Sequence, residues 1–191
     1  MRVLILGPQG SGKGTQAKRI AATYDVPHVA TGDILRAAIA EGSELGRQVE
    51  PILERGDLVP DDLMVELIRE RLASEDGFVL DGFPRTVPQA EALDAMLEDI
   101  GKPLDVVLLL EVGDEVALER LLARRAEEGR TDDAPDVIRN RLRLYHSLTE
   151  PVVERYRDAG RLLAVDGERP VEAVSDEVGE ALSQAVGVQP R

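Results

Sequence analysis

Cysteine is absent from the 191 residues, which excludes disulfides and any zinc or iron–sulfur centre held by thiolates. Histidine is almost as scarce: His28 and His146 are too few for a His-rich metal site, and each reads as a hydrogen-bonded or surface residue rather than a catalyst. No apolar run approaches the roughly 20 residues needed to cross a bilayer. The N-terminal "VLILG" runs into glycine and lysine too soon for a signal peptide, so a cytoplasmic location is expected. Positive charge is also short. Only Lys13, Lys18 and Lys102 are lysines among 23 basic residues, and the net charge is −14. That balance argues against general binding to nucleic acid or anionic membranes. It leaves nucleotides open, because they need only a local basic pocket. The arginine bias means that each arginine must be judged by spacing and context.

What is present suits one globular domain: 43% hydrophobic and 31% charged residues in a chain long enough to bury a full core. Short β-branched and Leu-rich runs at 3–6, 27–30, 78–80, 106–110 and 162–165 fit strands buried on both faces. Helical patterns over 13–24, 61–74, 88–99, 114–128, 136–158 and 170–186 alternate with them, with Asp61, Asp114 and Asp136 as caps or first-turn acids. The alternation predicts a doubly wound α/β sheet. Residues 31–59 hold two helical patterns with no strand between them, a helical excursion from the sheet. Residues 125–135, "RAEEGRTDDAP", read as a polar loop.

Three stretches carry chemistry. "GPQGSGKGT" at 7–15 follows a strand and opens a helix. With glycine near 7% of residues, a G-x-x-x-x-G-K match arises by chance at roughly one start position in a few thousand. Its glycines free backbone N–H groups to turn toward phosphate, and the helix N-terminus and Lys13 add positive charge. The residue after Lys13 is Gly14, so the hydroxyl that commonly touches Mg²⁺ at this place is missing. In "FVLDGFPRTVPQA" at 78–90, Asp81 ends a buried strand and resembles the acid that holds Mg²⁺ beside a P-loop; alone, it reads equally as a turn residue. Arg85 can fork onto a phosphate, and Gln89 offers the donor and acceptor that reading a base requires. In "VATGDILRAAI" at 29–39, Thr31 and Asp33 read as caps and Arg36 as a surface charge as readily as a site.

Together "GPQGSGKGT", "TGDILRAAI", "GDLVPDDL" and "LDGFPRTVPQA" resemble the adenylate kinases, in order and along the whole chain. DGFPR with a downstream Gln is specific to nucleoside monophosphate kinases, and Gly-Lys-Gly-Thr is the P-loop form they carry. The resemblance implies a P-loop kinase fold: three αβα layers, a five-stranded parallel sheet, a helical AMP-binding insertion and a short lid. The core would comprise 1–29, 60–124 and 136–191, the AMP-binding domain 30–59, and the lid 125–135. Gly10, Ser11, Gly12, Lys13, Gly14 and Thr15 would hold the ATP phosphates. Arg120 and Arg124 would face ATP, and Arg169 would sit by the adenine through its backbone. Thr31, Arg36, Asp57, Leu58, Val59, Gly82, Phe83, Pro84, Arg85 and Gln89 would form the AMP site, with Arg130 and Arg141 bridging toward the transferred phosphoryl. The catalytic set would be Lys13, Arg85, Arg124, Arg130 and Arg141.

The implied reaction is ATP + AMP ⇌ 2 ADP with Mg²⁺, Asp81 reaching the metal through water. The nucleophile is an ionised phosphate oxygen, so no general base is required, in keeping with the lack of a candidate His near the motifs. The partners would be ATP, AMP and ADP, with no nucleic acid, no membrane and a monomeric chain. Two departures stand out. The lid is reduced to about "AEEGRTDDAP", with no structural zinc, and Asp57 replaces a basic residue frequent in the family. A UMP/CMP kinase would share the P-loop and DGFPR, but Thr31 favours AMP. A GTPase switch would need an Asn-Lys-x-Asp segment, which the chain lacks.

Overall fold

The apolar runs form β1 (Arg2–Leu6), β2 (His28–Ala30), β3 (Phe78–Asp81), β4 (Val106–Glu111) and β5 (Leu162–Asp166) in a computed structural model that describes residues 1–128 and 134–187. They build one sheet in the order β2-β3-β1-β4-β5, with every neighbouring pair parallel. The register sets Ile5 beside Asp81 and Leu108, and Ala30 beside Asp81. Because side chains alternate along a strand, Leu4 and Leu6 enter one apolar layer while Val3 and Ile5 enter the other. Both faces of the sheet are therefore covered, as parallel strands require. Truncating a fully buried residue such as Leu108 to Ala would cost ~2–5 kcal/mol.

The helices are α1 (Lys13–Tyr24), α2 (Thr31–Ala40), α3 (Glu44–Glu54), α4 (Asp61–Leu72), α5 (Val87–Asp99), α6 (Asp114–Glu128), α7 (Pro135–Leu144), α8 (Glu150–Asp158) and α9 (Val171–Val186). Helices α1 and α9 cover one face through Ala17, Ile20, Val174, Val178 and Leu182. Helices α4, α5 and α8 cover the other through Ile68, Leu72, Leu93, Leu97, Val152 and Tyr156. Between β2 and α4 lies the expected excursion, α2 and α3, whose Leu35 and Val49 join the second layer. Among the described residues no helix is long and apolar enough to cross a membrane.

One helix departs from expectation. The pattern over 136–158 predicts a single helix, but the chain widens into a π turn at Tyr145–Thr149 before α8 begins. Pro151 explains the break. It has no N–H to bond back four residues, and its ring would crowd that carbonyl, so the turn before it opens and Glu150 N–H reaches Tyr145 O instead. This widened turn carries Tyr145 and Thr149 toward the carboxyl edge of the sheet.

Candidate active site

All five strands end on the same edge, and the order reverses at β1, so ligands are expected just beyond its carboxyl end. There the chain leaves Leu6 and enters α1 at Lys13, with Gly12 as the N-cap at φ +90°. That left-handed value suits glycine and little else. No side chain caps α1, so its first N–H groups have no side-chain acceptor at the N-cap. Ser11 Oγ, in a residue 2% exposed, has no hydrogen-bond partner among the described residues. Lys13 Nζ donates to Pro8 O at 2.7 Å. Desolvation of the ammonium deep in the cleft pushes its pKa down to about 8; Asp81 opposes this, while Arg85, Arg141 and Arg124 add to it. A buried hydroxyl and a helix N-terminus beside a lysine and arginines are the kinds of group that can hold a phosphate.

Asp81 stands across from this loop. Burial raises its carboxyl pKa, but His28, Lys13 and Arg85 outweigh burial and hold it below the ordinary carboxylate range. A Cβ built on Gly14 would lie 3.6 Å from Asp81 Oδ2, so the glycine leaves open space between helix start and carboxylate. His28 corrects the expectation that no His lies near the motifs: it lines the cleft, with Nε2 buried and 3.6 Å from Asp81 Oδ2. Pairing of β2 beside β3 puts it there, a neighbourhood that local sequence does not reveal.

The loop after β3 is tightly tied. Gly82 has φ +86°, and a Cβ there would come within 2.5 Å of Thr31 Oγ1, which itself donates to Asp81 O. Arg85 Nε donates to Gly82 O at 2.7 Å, Arg85 O accepts from Thr149 Oγ1 at 2.9 Å, and Arg85 N–H donates to Gln89 Oε1 at 2.8 Å. Desolvation lowers the Arg85 pKa, and Asp81 partly offsets it. The Phe83 side chain is packed into the apolar core, leaving only its backbone for a ligand, and its peptide bond to Pro84 is cis.

Two recesses meet at this edge. The larger, of about 770 Å³, is lined by the P-loop residues Gly10 to Thr15, by Asp81 and the Gly82–Arg85 turn, and by Arg120, Arg124 and Arg169. Despite the chain's net negative charge, cations outnumber carboxylates along its wall. Arg120 is braced on Gly167 O and Glu168 O, and the Arg169 side chain pairs with Glu177. The smaller recess, about 50 Å³, is bounded by Thr31, Asp57, Leu58, Val59, Met64 and Gln89. Gly32, Arg36, Gly82, Arg85 and Arg141 line both. Arg130 lies outside the described residues, as does part of the expected lid.

Asp57 turns its carboxylate to Arg55 Nε at 2.9 Å and Asn140 Nδ2 at 2.9 Å, and these hydrogen bonds lower its pKa. Asn140 also donates to Arg55 O, so residues 55 and 57 are clasped to α7. Asn140, Thr149 and Tyr145 carry no motif, and sequence inspection passes over them. The only signal for the last two is Pro151, which reshapes their helix.

The sequence model of the adenylate kinase family matches residues 5–161. A protein of Xanthomonas euvesicatoria pv. vesicatoria named adenylate kinase is 48% identical over 98% of this chain and its own full length. A Xanthomonas campestris pv. campestris adenylate kinase is 46% identical over 96% of the chain and all of its own length. One from Kosmotoga olearia is 43% identical over 93% of the chain and 97% of its own. On this match along most of its length, the chain belongs to the adenylate kinase family.

Proposed function

We propose that the large recess takes ATP, the small one takes AMP, and Arg36, Arg85 and Arg141 gather the phosphates where the two recesses join. The observation that carries this reading is the sharing of those three arginines between both recesses, beside Lys13. As a nucleoside monophosphate kinase, the chain runs ATP + AMP ⇌ 2 ADP, which maintains the balance of adenine nucleotides. Phosphoryl transfer depends on positioning and charge neutralisation rather than covalent chemistry. Lys13, Arg85, Arg124 and Arg141, with Arg130, hold the two phosphate chains in line and offset their charge. The attacking AMP oxygen is already ionised, so His28 has no proton to remove.

Mg²⁺ bound with ATP supplies further charge neutralisation. The residues fit such a metal: Asp81 offers one carboxylate, Gly14 leaves room beside it, and phosphate oxygens and water complete an oxygen shell. Among the described residues no cluster of three or more His, Asp or Glu side chains could hold the ion alone. Zinc has no part in this reading.

A recess of about 50 Å³ is far below the roughly 300 Å³ of a typical small-molecule site. AMP entry therefore calls for residues 30–59 to move against the core, and their return, with the 125–135 lid, would exclude water from the reaction. In this reading the chain works as a monomer in the cytoplasm. Titration with a bisubstrate ligand joining two adenosines through a phosphate chain tests this arrangement. One ligand per chain, displacing both ATP and AMP, is expected. Two ligands per chain, or competition with ATP alone, would overturn it.

A further inference from the structure

Gln89 is 2% exposed, and its side-chain amide is engaged at both ends. Oε1 accepts from Arg85 N–H at 2.8 Å, and Nε2 donates to Asp61 Oδ1 at 2.7 Å. The second Asp61 oxygen accepts from Thr86 Oγ1 at 3.0 Å. Thr86 Oγ1 in turn caps α5 by accepting from Gln89 N–H at 3.3 Å. A peptide N–H can only donate and a carboxylate oxygen here can only accept, so the amide has a single permitted orientation. Turning it over would set Nε2 against the Arg85 N–H and Oε1 against the Asp61 carboxylate, two repulsive contacts in a buried site.

Each end of the amide keeps one valence for a ligand: the second Nε2 hydrogen and the second Oε1 lone pair. The order in which they meet a base is therefore set by Asp61 and the Arg85 peptide. A 6-aminopurine shows an N6–H donor beside ring-nitrogen acceptors, whereas a 6-oxopurine shows an O6 acceptor in the same place. An amide locked in one orientation matches the amino pattern and misses the oxo pattern, because the phosphate and ribose fix how the base is presented. A site whose polar groups are left unpaired by the wrong ligand discriminates far more strongly than an apolar pocket.

We propose that Asp61 is a specificity-determining positioning residue, which selects 6-amino over 6-oxo nucleoside monophosphates by fixing the orientation of the Gln89 amide. The inference rests on the reading that Gln89 faces the acceptor base. Asp61 touches no substrate in this scheme. It opens α4, one proline beyond residues 30–59, so it ties the base-reading side chain to the start of the core helix that follows them.

The test compares AMP with IMP as acceptors for the intact protein and three variants. Asp61→Ala lowers the AMP/IMP ratio of kcat/KM about tenfold, the loss falling on the KM for AMP with kcat little changed. Asp61→Asn keeps the ratio, since its Oδ1 still accepts from Gln89 and its Nδ2 can meet Thr86 Oγ1. Gln89→Ala removes the ratio altogether. Should Asp61→Ala not fold, Asp61→Ser replaces it, with a helix-start hydroxyl too short to reach Gln89. If Gln89→Ala loses the preference while Asp61→Ala or Asp61→Ser retains it, the role of Asp61 is overturned and the role of Gln89 stands. An unchanged ratio in Gln89→Ala overturns the base-reading role itself, and the inference with it.

Discussion

Lys13 Nζ donates a 2.7 Å hydrogen bond to Pro8 O, so the P-loop lysine is held by a carbonyl of its own loop. Its pKa of about 8, set by desolvation and neighbouring arginines, leaves it only part-charged in mildly alkaline solution. Phosphate oxygens stabilise the ammonium and raise that pKa. ATP binding near pH 8 to 8.5 is therefore accompanied by proton uptake, which fades toward pH 6.5 where Lys13 is already charged. Calorimetry in buffers of different ionisation heats measures this uptake, and Lys13→Gln abolishes it. Binding without proton exchange at pH 8.5 in the unmodified protein would contradict the assignment.

Arg85 sits where the two recesses join, held by Gly82 O and backed by Thr149 and Gln89. Arg85→Ala lowers kcat by ~10²–10³-fold, the scale of removing one preorganised donor from a transition state. The circular dichroism spectrum is retained, because among the described residues the guanidinium bonds a single backbone carbonyl. Turnover near the unmodified rate would remove Arg85 from the catalytic set.

Asn140 clasps the Arg55–Asp57 segment to α7, one residue before Arg141. Asn140→Ala raises the KM for AMP severalfold, about what a lost hydrogen bond near 1 kcal/mol implies, and leaves the KM for ATP unchanged. Initial rates with each nucleotide varied in turn measure the two constants. Equal shifts in both would show that the contact supports the fold generally rather than the AMP side.

His146 bridges two helix starts: Nδ1 lies 2.7 Å from Glu150 Oε1 and Nε2 2.9 Å from Asp114 Oδ1. Glu150, then Asp114, raises its pKa against the opposing effect of burial. A raised folded value means that the stabilisation is complete below the ordinary imidazole pKa of 6.5 and is lost as pH climbs through the folded value. The Tm gap between the unmodified protein and His146→Gln is thus widest near pH 6 and narrows toward pH 9. The site is exposed, so the gap is small. A gap that grows with pH would reverse the assignment.

What was legible in the sequence is local. β1 and β4 announce themselves as unbroken apolar runs because both their faces are buried, and the P-loop because its glycines, lysine and helix start are contiguous. The pattern over 136–158 predicts one helix because periodicity outweighs one proline in a window, whereas Pro151 removes a hydrogen bond that the helix cannot replace without widening. The contacts of His28, Asp61, Thr149 and Asn140 are not legible in the sequence for a different reason. Their partners lie 53, 28, 64 and 83 residues away in the chain, brought close only by the order of strands and helices. Gln89 was recognisable from the DGFPR motif, but the lock on its amide was not.

The central claim, that ATP donates to AMP in this cleft, is tested most directly by a coupled assay offering AMP, CMP, UMP and GMP in turn with Mg-ATP. The account predicts strong preference for AMP, two ADP formed for each ATP consumed, and little ATP hydrolysis without an acceptor. Preference for any other acceptor, or hydrolysis that matches transfer, would contradict it.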